Sequence, residues 1–159
     1  MRVILEGCDG TGKTSVSELL ANKLNCNIIR LTRHGYRALR SYKHLMSAEY
    51  IVHDRSFISE TIYPKYFNEA RSITDGETSE LWDYIKIFDI KVFVLTANPE
   101  EIVKRFNTRG DEFLKDASVL QNINNDYLCV AKEKNLIVID TTDKTIQQVV
   151  EEIGDYLND

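Results

Sequence analysis

Along this chain apolar residues recur in two patterns. Short, nearly continuous runs at Arg2–Glu6, Asn27–Leu31, Lys91–Leu95 and Leu136–Asp140, and another ending at Asp54, have the length and β-branched content of strands buried on both faces. Between them apolar positions return every three or four residues. Val16, Leu19, Leu20 and Leu24 form one such stripe, Leu120, Ile123, Tyr127 and Val130 another, and Ile146, Val149, Val150, Ile153 and Leu157 close the chain with a third. Further helices are predicted from about Tyr36 to Met46, from Ser56 to about Phe67, around Leu81, Ile85 and Phe88, and from Pro99 through Ile102, Val103 and Phe106. The last has Asn98 as its cap and Glu101 placed for a capping box. Residues 71–78, with Asp75 and Gly76 among them, read as a loop. Five β-runs separated by helices predict a three-layer α/β domain with a mostly parallel sheet, and right-handed crossovers put the first strand near its centre.

The junction of the first strand and first helix carries the chemistry. Gly7-Cys8-Asp9-Gly10-Thr11-Gly12-Lys13-Thr14 fits G-x-x-x-x-G-K-[ST] at every fixed position. Chance supplies one such match in a chain of this length with a probability on the order of half a per cent, and the strand before it and helix after it lower that further. A backbone that wraps a triphosphate needs glycines, which Gly7, Gly10 and Gly12 supply. Lys13 then brings a point charge to the β- and γ-phosphates, and Thr14, in the first helical turn, places a hydroxyl where Mg²⁺ would sit.

Composition narrows the setting. The chain has 159 residues, 43% hydrophobic and 28% charged, enough for one full core over 1–159. A net charge of −5 argues against a general nucleic-acid coat. No export signal or membrane-length apolar run is seen, so a cytoplasmic protein without a membrane partner is expected. Cys8, Cys26 and Cys129 suit neither a disulfide framework nor a zinc site; Cys26 and Cys129 read as packing residues, and Cys8 as a neutral position inside the cradle.

Three further segments hold candidate chemistry. Arg33, His34, Arg37, Arg40, Lys43 and His44 form a basic stretch that is either a solvated helix face or a receiver for the phosphate of an acceptor. Asp54 and Arg55 end a strand, where ligands gather in parallel sheets. Asp54 could hold Mg²⁺ or take a proton, and Arg55 could clamp a phosphate. His53 reads as filler on the sheet face, the aromatics of 56–67 as core with one left over to stack on a base, and Trp82 as packing. Thr108 to Phe113 is a charged, glycine-containing break, the place for a mobile lid over about 105–116 whose arginines, Arg109 above all, would meet a transferring phosphoryl group.

Glu6-Gly7-Cys8-Asp9-Gly10-Thr11-Gly12-Lys13-Thr14 resembles the E-G-x-D-G-x-G-K-T loop of thymidylate kinases. Asp54-Arg55, Ser59 and Tyr63 fall on that family's D-R-Y-x-x-S-x-x-A-Y pattern, with Ser56 in place of Tyr and Ile62 in place of Ala. Arg105 and Arg109 lie where its lid helix carries arginines, and Tyr127-Leu128 with Ala131 resembles the helix after the lid. The resemblance implies a P-loop kinase fold with strand order 2-3-1-4-5 and transfer of the γ-phosphoryl of ATP, with Mg²⁺ at Thr14 and Asp54, to a deoxynucleoside monophosphate, dTMP foremost. It also implies that Asp9 contacts the acceptor sugar, that Arg33 and Arg55 hold its phosphate beside Ser59 and Tyr63, and that Arg105 lies against adenine with Thr141 near the end of the last strand. Between the first helix and Asp54 the chain is shorter than family members, and only Thr32-Arg33-His34-Gly35 resembles their R-E-P-G turn.

Other readings stay open. Ser56 after Asp-Arg is similar to deoxynucleoside kinases, whose acceptor is unphosphorylated. A polynucleotide 5′-kinase and a nucleotide-binding module without turnover are further alternatives, and a homodimer and a viral origin fit the compact chain.

Overall fold

The computed structural model describes residues 1–32, 38–109 and 117–158, with the side chains of Arg109 and Ala117 left aside. Strands β1 (Arg2–Glu6), β2 (Asn27–Arg30), β3 (Ile51–Asp54), β4 (Lys91–Thr96) and β5 (Ile137–Asp140) form one parallel sheet in the order β2-β3-β1-β4-β5. This is the expected three-layer α/β fold and strand order. β1 lies in the middle, paired with β3 on one side and β4 on the other, and its Val3, Ile4 and Leu5 are wholly buried.

Helices α1 (Lys13–Leu24) and α8 (Ile146–Asn158) cover one face, where Val16, Leu20, Val149, Val150 and Ile153 close on Val3, Leu5, Phe93 and Leu95. The other face takes α2 (Leu39–Ser47), α3 (Phe57–Ile62), α4 (Pro64–Phe67), α5 (Asp75–Ile87), α6 (Pro99–Arg109) and α7 (Ala117–Lys134) around a core that includes Ile4, Phe57, Leu81, Ile102, Leu120 and Tyr127. Alternation along each strand divides the two cores: Leu5 and Val52 point to the first, Ile4 and His53 to the second. His53 is 1% exposed, and burial lowers its imidazole to about 4, so it is neutral filler as expected.

Local chemistry shifts several boundaries. The helix expected over 56–67 is two, because Pro64 begins a new one after Tyr63. Thr74 is not loop but cap: its side chain accepts from the Glu77 N–H, and Glu77 returns to the Thr74 N–H at 2.8 Å, so α5 starts at Asp75. At α6 the Asn98 carboxamide does cap the Glu101 N–H at 2.8 Å, yet the box is incomplete. Asn98 N–H donates to Thr142 Oγ1, and the Glu101 carboxylate turns to Arg105. Cys129 is exposed and Cys26 half-buried, so Cys129 is not the packing residue expected. Trp82 meets Phe57 edge-on at 5.2 Å. Among the described residues no helix is long and apolar enough to cross a membrane.

Candidate active site

Parallel pairing brings the carboxyl ends of the strands to one edge, and β1 and β3 are in register there, with Leu5 beside Asp54. The phosphate loop leaves β1 at Gly7, whose φ is +139°. A Cβ there would sit 2.2 Å from the Leu95 carbonyl oxygen, so glycine is required by close approach as well as by conformation. Gly10, at φ +87°, likewise passes Ile102 O, which a Cβ would meet at 2.8 Å. The Cys8 carbonyl gathers two loop side chains, accepting from Lys13 Nζ at 2.6 Å and Thr11 Oγ1 at 2.9 Å. Burial, with the neighbouring Arg55 charge, lowers the Lys13 ammonium to about 8, so its charge is held with little solvent around it. Burial pushes the Cys8 thiol up to about 11; it is a protonated, fully buried group.

Thr14 Oγ1 donates to Asp54 Oδ2 at 3.0 Å. A hydroxyl and a carboxylate meeting at the first turn of α1 offer the hard oxygen donors that Mg²⁺ takes alongside phosphate oxygens and water. Among the described residues no group of three or more His, Cys, Asp or Glu could hold a metal ion.

Arg55 follows β3 in a left-handed conformation, φ +76°. Its guanidinium donates to Asp9 Oδ1 at 2.5 Å and Tyr63 OH at 3.1 Å, lies 4.7 Å from the Tyr63 ring centre, and reaches Ser59 Oγ and Tyr127 OH at 3.4 Å. Tyr63 OH completes the ring by donating to Asp9 Oδ2 at 3.0 Å. Burial alone would raise the Asp9 carboxyl, but Arg55, Lys13 and the Tyr63 hydrogen bond outweigh it and hold it below the usual range. Asp9 is therefore a fixed anion and a poor base.

Beneath Arg55 lies Glu6, wholly buried. Its Oε1 accepts from the Ser56 N–H at 2.6 Å and Ser56 Oγ at 2.7 Å, and its Oε2 from Ser59 Oγ at 2.9 Å and Tyr127 OH at 3.0 Å. Four donors on one carboxylate tie β1, the β3–α3 turn and α7 together. Burial raises its carboxyl, and the Ser56 bond and Arg55 offset part of that rise.

Two cavities flank the loop backbone. One, about 560 Å³, is lined by Gly10, Thr11, Gly12, Arg105, Thr141 and Ile146 among others. The other, about 190 Å³, is lined by Asp9, Lys13, Thr14, Arg30, Asp54 and Arg55, and shares Gly10 and Gly12 with the first. Arg105 is braced at the larger one, donating to Thr141 Oγ1 at 2.9 Å and Thr141 O at 2.8 Å.

Over 96% of its length the chain is 32% identical to a provisionally assigned adenylate kinase of Methanocaldococcus jannaschii, of which it covers 84%. The chain belongs to the P-loop nucleoside and nucleotide kinases. Its activity is accordingly ATP-dependent phosphoryl transfer to a small nucleotide or nucleoside. Over 99% of its length this kinase is also 29% identical to a provisionally assigned thymidylate kinase of the same organism, covering 95% of it. Its fold matches the YorR protein of Bacillus subtilis, solved in complex with phosphorylated GDP, with a TM-score of 0.84 at 23% identity over 99% of this chain and 96% of that one. Adenylate and thymidylate kinases are similar to it to about the same degree, so the wider kinase group is shown and not one branch of it. No protein-family model matches the chain.

Of the residues expected at the site of this kinase, Gly7, Asp9, Gly10, Thr11, Gly12, Lys13, Thr14, Asp54, Arg55, Ser59 and Tyr63 meet at one edge, with Arg105 and Thr141 at the adjoining cavity. Arg33, His34 and Arg37 lie outside the described residues. So do the Arg109 side chain and the stretch 110–116 of the expected lid, whose positions 105–109 form the last turn of α6. Arg40 is exposed on α2, and Lys43 pairs with Glu80. Sequence reasoning gave Glu6 and Tyr127 a place only in the family's motifs, without a site role, and read Arg30 only as a strand residue beginning the basic segment that a polynucleotide end could meet. Arg30, at the end of β2, bonds Glu18 and has its Nε 3.9 Å from Asp54 Oδ2. Its place at a strand's carboxyl end was the available signal.

Proposed function

We propose that this kinase transfers the γ-phosphoryl of ATP to a deoxynucleoside monophosphate, with dTMP the foremost acceptor. The observation that carries this reading is the pair of cavities meeting at Gly10 and Gly12, the larger sized for a nucleoside triphosphate and the smaller lined by Lys13, Arg30 and Arg55. An acceptor phosphate oxygen attacks the γ-phosphorus as the bridging β–γ oxygen bond breaks and ADP leaves. Lys13 exchanges the Cys8 carbonyl for the phosphates, and Arg105 lies along the donor base beside Thr141. Arg30 and Arg55 receive the acceptor phosphate, joined by Arg33, while Asp9, Ser59 and Tyr63 face its sugar and base. Arg109 brings a further cation to the transferring group. Thr14 and Asp54 would hold Mg²⁺, which would supply neutralisation of the charge on the phosphates. The named thymidylate kinase relative and the nucleotide bound to YorR support this reading.

A second reading, a deoxynucleoside kinase, is favoured by one observation. The Arg55 guanidinium is already engaged by Asp9, Tyr63, Ser59 and Tyr127, which leaves it less free to bind phosphate. Asp54 would then take the proton of a 5′-hydroxyl. ADP release measured with ATP, Mg²⁺ and a panel of deoxynucleoside monophosphates, deoxynucleosides and 5′-hydroxyl oligonucleotides separates these readings. The first expects turnover with monophosphates, dTMP above the rest. Release with none of them would leave a nucleotide-binding module.

A further inference from the structure

Asn124 is a carboxamide on a helix face that is otherwise core. Leu120, Ile123 and Tyr127 of α7 are buried around it, and Asn124 itself keeps only 6% of its surface exposed. A buried polar group is costly unless its hydrogen bonds are made, so the partners of this one show what it holds. Its Oδ1 accepts from Thr96 Oγ1 at 3.0 Å and from the Cys8 thiol at 3.7 Å. Cys8 is the second residue of the phosphate loop, and its carbonyl receives Lys13 and Thr11. Thr96 ends β4, and its carbonyl accepts from the Thr141 N–H at 2.8 Å and from Thr141 Oγ1 at 2.9 Å. One oxygen is thereby linked to both walls of the larger cavity, the phosphate loop on one side and the connection between β5 and α8 on the other. The helix that carries it is fixed one turn further on, where Tyr127 OH meets Glu6 and Ser59.

The donor as read above spans the same two walls, its phosphates in the loop and its base beside Thr141. A ligand that engages two surfaces at once gains over a fragment that engages one, but only while the separation of the surfaces matches it. We propose that Asn124 is a positioning residue that sets the separation of the phosphate loop from the β5–α8 connection, and with it the advantage of a whole nucleoside triphosphate over bare polyphosphate. It acts through Cys8 and Thr96 from outside the larger cavity, and the inference rests on reading that cavity as the donor side.

The test is titration calorimetry of ATP and of inorganic tripolyphosphate, each with Mg²⁺, into the full chain and its Asn124→Leu and Thr96→Val variants. Leucine removes the accepting oxygen, and a cavity of about 200 Å³ between α6 and α7, which Asn124 lines, gives the larger side chain room. Valine removes the Thr96 donor at nearly constant volume. The unsubstituted chain should bind ATP at least about tenfold tighter than tripolyphosphate, and each variant should narrow that ratio by at least about fivefold, with tripolyphosphate itself changed by no more than about twofold. The double variant should narrow it no further than the stronger single one, because both substitutions break the same bond. An unchanged ratio in either variant overturns the proposal and leaves the donor reading in place; should Asn124→Leu fail to fold, Thr96→Val alone decides. Equal weakening of ATP and tripolyphosphate also overturns it, since that is the mark of a disturbed loop and not of a changed separation. An unsubstituted chain that binds ATP no tighter than tripolyphosphate, or binds neither, overturns the donor reading and the proposal together.

Discussion

Arg55 donates from Nη2 to Asp9 Oδ1 at 2.5 Å, joining the residue after β3 to the third residue of the phosphate loop. The pair belongs to the smaller cavity and not to the larger, so its loss should fall on one substrate. Arg55→Ala is expected to raise the acceptor KM at least about tenfold while the ATP KM stays within about threefold, measured by steady-state kinetics with each substrate varied in turn. An equal change in both constants would show that Arg55 serves the loop as a whole.

Lys13 lines the smaller cavity; on the proposed reading it meets the charge that develops in the transition state, and Lys13→Ala should lower kcat by at least about a hundredfold. The same loss is expected for Arg109→Ala if its side chain reaches the transferring group. Burial gives the Lys13 reading a pH signature. With its ammonium lowered to about 8, the free protein sheds that proton as the pH rises through 8, while a bound triphosphate retains it. Triphosphate Kd should therefore rise about tenfold per pH unit above about 8, and a titration calorimeter should register proton uptake on binding there.

Glu6 has four donors and no solvent, so its removal takes the carboxylate acceptor from the Ser56 N–H, Ser56 Oγ, Ser59 Oγ and Tyr127 OH together and leaves the Ser56 N–H buried without it. Glu6→Ala should cost about 3 kcal/mol or more in denaturant unfolding, and Glu6→Gln, which keeps the volume and one accepting oxygen, about half as much. Glu6→Gln should also raise the acceptor KM, because the β3–α3 turn that aims Arg55 is anchored on Oε1.

Gly7→Ala forces a Cβ onto the Leu95 carbonyl at a φ that L-residues avoid. The expected outcome is a loss of about 2 kcal/mol or more in stability, with triphosphate binding lost more steeply than acceptor binding, read by thermal unfolding with and without ATP.

His53 makes stability sensitive to acid. Its imidazole titrates near 6.5 when unfolded and about 4 when buried, so between those values the unfolded chain binds a proton that the native chain refuses. Stability should fall as the pH drops from 6.5 to 4, by about 3 kcal/mol in all, and be unaffected by this group above 6.5. His53→Leu should flatten that part of the curve in urea melts taken across the range.

The strands and the glycine-rich loop were legible because each rests on local period or on short-range backbone chemistry, whereas the strand order was implied by the family resemblance and crossover handedness gave only the central place of β1. The start of α5 was not: Asp75-Gly76 has turn composition, and only the side-chain exchange between Thr74 and Glu77 turns it into a helix start. The Glu6 network was hidden for a different reason. Glu6 and Tyr127 stand 121 positions apart, and Tyr127 sits on an apolar stripe that explains it as core, so neither residue signals the other until the fold is formed. Arg30 was masked by its strand, since a polar residue ending a β-run needs no further explanation. The exposed Cys129 shows the same limit in reverse, because a small apolar residue on a helix can face either way.

The alignment of Leu5 with Asp54 has a consequence for how such a chain can change length. A single residue added within β1 or β3 would carry Arg55 one step past Asp9 and turn every side chain of that strand to the wrong layer. Chain added between β2 and α2, or between α6 and α7, would disturb neither. Changes of length are thus borne by the connections, and the register at the sheet edge keeps Asp54, Arg55 and Asp9 together.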